Sequence, residues 1–149
     1  MQSSYLREWP AVARTLRQRL ESLSKVESLS VGQRELLSDR LWQALVEGHL
    51  QEGQVTSDRV QRVGSWQTAE ELIEQGLKLR GRTELHRELR LQRVRLARWR
   101  EESTLWLAQS KSLSTISAGF DFRDRVLAEQ VRQALDRDAC DEALALLAT

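Results

Sequence analysis

Apolar residues recur along this chain three and four positions apart and almost nowhere alternate with polar ones. Val12, Leu16, Leu20 and Leu23 line one face at helical spacing, and Leu36, Leu37, Leu41, Ala44 and Leu45 form a second stripe. Isoleucine is confined to Ile73 and Ile116, so strands have little support. The pattern predicts an all-α protein, a single-domain bundle of about five to seven helices over 1–149 with one long central helix.

Proline and glycine set the expected boundaries. A first helix begins around Trp9-Pro10, because proline is tolerated in a first turn and not deeper. A serine-rich connection follows over 24–29. Ser30 with Gln33 then fits a capping box for a second helix that ends near Gly48, so the N-terminal helices occupy 9–48. Gly53, Gly64, Gly76 and Gly81 break 49–82 into short pieces. Thr56 or Ser57 caps one of these, and a Thr68–Glu71 capping box opens another that stops at Gly76. Thr83 caps the long basic helix, expected over 83–110. Residues 110–119 read as a polar loop, and a helical pair over 120–148 closes the chain, with Asp138 capping its last member.

Charge is distributed unevenly. Residues 78–100 hold nine cations against Glu84 and Glu88, a charge of +7 in a chain whose total is +1. Such asymmetry calls for an anionic partner or an acidic surface within the fold. In this segment Leu85, Leu89, Gln92, Leu96, Trp99 and Trp106 follow heptad-like spacing, which makes a helix-packing face or a homodimer stripe. Leu91 and Val94 fall on the far side, so the helix is expected to be contacted twice. Arg82, Arg93 and Arg100 flank the stripe while Arg80, Arg87 and Arg98 lie opposite. A ring of this kind reads first as a solvated or internally paired helix whose stems cover apolar neighbours. A nucleic-acid surface and a dock for an acidic protein follow in that order.

Candidate chemistry is sparse. Cys140 is the only cysteine, so no intrachain disulfide is expected, and its acidic neighbours make it a small packing residue rather than a reactive thiol. His49 and His86 are the side chains suited to proton transfer near neutral pH, and Glu52 lies three residues beyond His49. No repeated ligand pair, phosphate loop or nucleophile elbow accompanies them, so neither a metal nor a cofactor is expected, and the chain does not read as an enzyme. The longest apolar runs fall far short of the ~20 residues that span a bilayer. The first ten residues do not read as a secretory signal, and the expectation is a cytoplasmic protein.

Leu41, Ala44, Leu45, Gly48, Leu50, Gly53, Gln54, Ser57 and Arg59 fall in step with the opening of the GntR-type winged-helix regulators. This resemblance covers 41–59 and implies a degenerate helix-turn-helix around 41–75. The run from Leu85 to Arg98 is similar to part of the terminal helix of the primosomal replication-restart proteins.

The expected function is a non-catalytic protein-interaction module: an adaptor, assembly factor or regulator docking on a larger bacterial complex. Its arginine-rich helix would meet an acidic surface or a helical groove through Arg82, Arg90, Arg93 and Arg100. Trp66, with Leu50, is the expected docking knob, or else a residue folded over the domain's own core. The alternative is a nucleic-acid-binding transcription or replication regulator.

Overall fold

A computed structural model of the chain describes residues 4–101, 109, 113 and 120–148. They form six α-helices and no strand: α1 (Ser4–Ser22), α2 (Val31–Val55), α3 (Arg59–Leu77), α4 (Thr83–Trp99), α5 (Phe120–Asp136) and α6 (Cys140–Leu147). A 3-10 turn, Leu23–Lys25, follows α1. Contacts divide the chain into two compact units, Met1–Leu89 and Arg90–Thr149. The basic helix expected over 83–110 stops at Trp99, where Arg100 and Glu101 turn the chain and Glu101 takes φ 60°; Trp106 and all of the expected 110–119 loop but Leu113 lie outside the described residues.

α1 begins ahead of its proline, and Pro10 stands inside the helix. Leu6, Trp9 and Ala13 make the buried stripe, while Val12 points to solvent. An interior proline costs about 3 kcal/mol. Burying an indole of 150–250 Å² at about 25 cal/mol per Å² returns roughly 4 kcal/mol or more, so Trp9 is enough to carry the helix through it.

The capping box at the start of α2 forms as its residues predict: Gln33 N–H donates to Ser30 Oγ at 3.2 Å and Ser30 N–H to Gln33 Oε1 at 2.9 Å. Arg34 ties the preceding turn down through two bonds to the Val26 carbonyl, at 2.7 and 3.2 Å. The helix does not stop at Gly48. It continues to Val55, burying Leu45, Val46, Gly48, Leu50 and Gly53 and leaving Leu36 and Leu37 exposed.

α3 is likewise continuous. Its N-cap is Asp58, whose Oδ1 accepts from Val60 N–H at 2.9 Å and Gln61 N–H at 3.4 Å; Thr56 instead donates its hydroxyl to Gln61 Oε1 at 2.9 Å. Thr68 opens no new helix, because its hydroxyl donates back to the Gly64 carbonyl at 3.0 Å. Arg62 reaches back to close α2, donating to Gly53 O at 3.0 Å and Thr56 O at 2.8 Å. These are carbonyls that a helix end leaves without an intrahelical donor.

Three helical glycines expected to break the chain are seats for tryptophan rings. A Cβ on Gly48 would overlap the Trp9 ring, one on Gly53 the Trp66 ring, and one on Gly76 both Leu89 and Trp42. Each of the two hairpin indoles then finds a carbonyl across the interface. Trp66 Nε1–H donates to Leu50 O at 3.1 Å and Trp42 Nε1–H to Leu72 O at 2.8 Å. Gly53 faces Trp66 near the connection and Trp42 faces Gly76 far from it, so α2 and α3 are an antiparallel hairpin. Of the four expected breakers, Gly53 and Gly64 lie inside helices, Gly76 stands one residue before the end of α3 as expected, and Gly81 turns the chain with φ +73°.

α4 is buried on two sides. Leu85, Leu89, Gln92 and Leu96 are buried on the expected stripe, and Leu91, Val94 and Ala97 on the other side. Within the second unit Leu91, Val94 and Ala97 share a cluster with Leu113, Phe122 and Val126. Asp138 does not cap α6. It occupies the left-handed region at φ 55°, and Ala139 takes the cap position with no side-chain bond. Cys140 is exposed rather than packed.

Candidate functional site

One polar constellation links α1 and α3 to α2 through His49 and Glu52. The ring on Gly48 is that of Trp9, and its edge meets the next residue's imidazole, with centroids 5.3 Å apart and planes at 87°. Trp9 Nε1–H donates to His49 Nδ1 at 3.4 Å. The same Nδ1 lies 3.4 Å from Glu52 Oε1, which also accepts the Ser65 hydroxyl at 2.8 Å. His49 Nε2 is buried without a hydrogen-bond partner among the described residues. Burial holds the imidazole below its ordinary pKa. The Glu52 carboxylate works against that shift and Arg17 adds to it.

The i, i+3 spacing of His49 and Glu52 was visible in the chain. Trp9 and Ser65 were not, because they arrive from other helices. Ser65 gives its proton to Glu52 and not to His49, so the trio lacks the hydroxyl-to-imidazole bond of an activated nucleophile. What the arrangement does chemically is clasp three helices through one carboxylate and one ring.

A second charged contact joins α2 to the turn before α4. Arg82 Nη1–H donates to Asp39 Oδ1 at 2.8 Å with both side chains mostly covered. Burial raises the Asp39 carboxyl above its ordinary value, and the guanidinium of Arg82 offsets part of that.

The arginine-rich helix is largely committed within the fold. Arg98 donates to Glu129 Oε2 at 3.0 Å and to Asp136 Oδ2 at 3.1 Å, and Arg132 meets the other oxygen of Glu129 at 3.2 Å. Arg95 lies over Trp99, 5.4 Å from the ring centre. Arg87, Arg93 and Arg100 are half-buried, and each interacts with other groups of the protein. Of the four arginines singled out for docking, only Arg90 is exposed. The acid that answers the helix's charge is, at Arg98, the chain's own.

The expected docking knob is core. Trp66 is 7% exposed and Leu50 is fully buried, joined by the bond from the indole to the Leu50 carbonyl. A glycine-bounded turn was the reason to place Trp66 outside, and that turn is helix. The stripe offered as a dimer seam is occupied too: Leu85, Leu89 and Leu96 are buried within the chain, and Trp99 is half-buried.

The side chains that do face solvent lie elsewhere. Val60 is 81% exposed and Val63 57%, on the outer side of the first two turns of α3, and Val55 at the end of α2 is exposed as well. A Cβ on Gly64, beside them, would meet nothing. Around 41–75 the chain makes one helix–turn–helix, from α2 to α3 through residues 56–58, and it is an antiparallel hairpin in which α2 runs unbroken through Gly48 and Gly53. Compared with protein families, with curated proteins and with solved structures, the chain finds no match.

Proposed function

We propose that this protein is a non-catalytic helical interaction module, an adaptor, assembly factor or regulator that docks on a protein partner in the cytoplasm. The observation that carries the reading is the exposed valine surface at the start of α3. Val60 and Val63 gain little there from their own chain, since β-branching lowers helix propensity and most of each side chain stays in water. Covered by a partner, each would contribute roughly 1.5–3 kcal/mol. The turn beneath them is pinned by Asp58 and Arg62, so they are presented on a fixed backbone. Arg82 and Arg98 serve the fold, and Arg90 is exposed on α4.

The test is affinity capture from one lysate on immobilised wild type and on the double variant Val60→Asp, Val63→Asp, with circular dichroism confirming equal helicity. A protein retained by the wild type and lost by the variant supports the reading; equal retention by both overturns this surface as the dock.

Nucleic acid remains a second reading on a different helix. Arg7, Arg14 and Arg17 are exposed and recur at helical spacing along α1. Binding through them would weaken linearly in log salt, with a slope of about −0.9 per phosphate contacted on duplex DNA.

A further inference from the structure

His49 Nδ1 cannot serve both of its neighbours at once. As an acceptor it takes the Trp9 indole proton and makes no hydrogen bond to Glu52. As a donor it bonds Glu52 and turns an N–H toward the N–H of Trp9. We propose that His49 is an acid-sensitive latch for α1: neutral, it holds Trp9 against α2, and protonated, it transfers its bond to Glu52 and releases Trp9.

The geometry makes the exchange one-sided. In the imidazolium both ring nitrogens carry protons, so no acceptor faces the indole N–H. The indole meets the imidazole edge-on, at 87° and with its Nε1 leading, so the positive rim of Trp9 points at the new charge and its attractive face does not. From α1 the ring faces Arg17, a second cation that protonation would oppose. From its own helix it faces Glu52, held in place by the Ser65 hydroxyl of α3. Glu52 therefore receives the proton's charge while α1 loses its bond. Trp9 also fills the seat at Gly48, so displacing its ring opens the closest approach of α1 to α2. The α2–α3 hairpin keeps its own two seats, which have no histidine. For each unit by which docking of α1 lowers the His49 pKa, the charged form holds α1 about tenfold less tightly.

The experiment follows the intact protein by NMR between about pH 8 and 5, the range in which histidines titrate. Three signals are read: the His49 ring, the Trp9 indole N–H (assigned with Trp9→Phe) and amide exchange along α1. The proposal expects all three to move with one midpoint while the Trp66 indole N–H stays fixed. His49→Gln should abolish the movement of Trp9 and the rise in α1 exchange. Glu52→Gln should lower the midpoint, because the carboxylate is what favours the charged ring. Titration of His49 with Trp9 and α1 unmoved would overturn the proposal. So would a Trp9 transition that survives in His49→Gln, or an unchanged midpoint in Glu52→Gln.

Discussion

The α2–α3 hairpin and α4 each use a residue type against its local preference. In the hairpin, glycine sits inside helices, where it costs about 1 kcal/mol relative to alanine. In α4, arginine sits half-buried, where an unmatched charge costs several kcal/mol. Both are tolerated for the same reason, which is what lies across the interface. Gly48, Gly53 and Gly76 admit indole rings whose burial outweighs the propensity loss, and Arg98 meets Glu129 and Asp136. The difference is in reach. A glycine seat acts through a ring that must fit a space, so it is intolerant of one added carbon. An arginine pair acts through a flexible stem and more than one acceptor, so it degrades more gradually.

The comparison breaks first at the ring itself. Trp66→Ala removes the occupant of the Gly53 seat and the bond to Leu50 O, and should cost about 3–5 kcal/mol in urea unfolding. A cost below about 1 kcal/mol would return Trp66 to the surface. On the α4 side, Arg98→Ala should cost about 2 kcal/mol, because Arg132 remains to meet Glu129. Arg90→Ala, exposed on the same helix, should stay within about 0.5 kcal/mol. Equal effects at the two positions would mean that the ion pair adds nothing to the fold.

Acid should sharpen the contrast between α1 and the hairpin. His49 has its pKa lowered in the fold, so the unfolded chain binds more protons between that lowered value and about 6.5. Stability therefore falls as pH drops through this window and is flat above it. His49→Gln should remove that part of the slope, which pH-dependent urea midpoints would show.

Much of the helical content was legible in the chain. The Ser30–Gln33 box and the two-sided apolar pattern of α4 depend on residues close in sequence and form as expected; the three-and-four spacing foretold helices but not their buried faces, since of the two N-terminal stripes only Leu45 is buried. Pro10 and the glycines misled for the complementary reason. A missing Cβ marks either a break or a close approach, and only the partner distinguishes them. Trp66 stands thirteen positions from Gly53 across a turn, and Trp42 stands thirty-four from Gly76, so neither pair falls within a local window. A tryptophan on each arm of a hairpin with a glycine on the other was the available signal. Of the polar clasp, the His49–Glu52 spacing was readable, while Trp9 and Ser65 depend on helices that had first to be placed. The fate of the arginines was equally non-local, since Glu129 and Asp136 lie over thirty residues beyond Arg98.

Glycine in this fold is a seat where a ring sits on it and a simple cost where none does. α3 holds both cases, Gly76 under Trp42 and Leu89, and Gly64 with nothing above it. Urea unfolding of Gly76→Ala and Gly64→Ala, measured side by side, tests it most directly. Opposite signs are expected: a loss of about 1–3 kcal/mol at 76 from overpacking and a gain of up to about 1 kcal/mol at 64 from helix propensity. Two gains of similar size would contradict it, because the ring would then have no seat to defend.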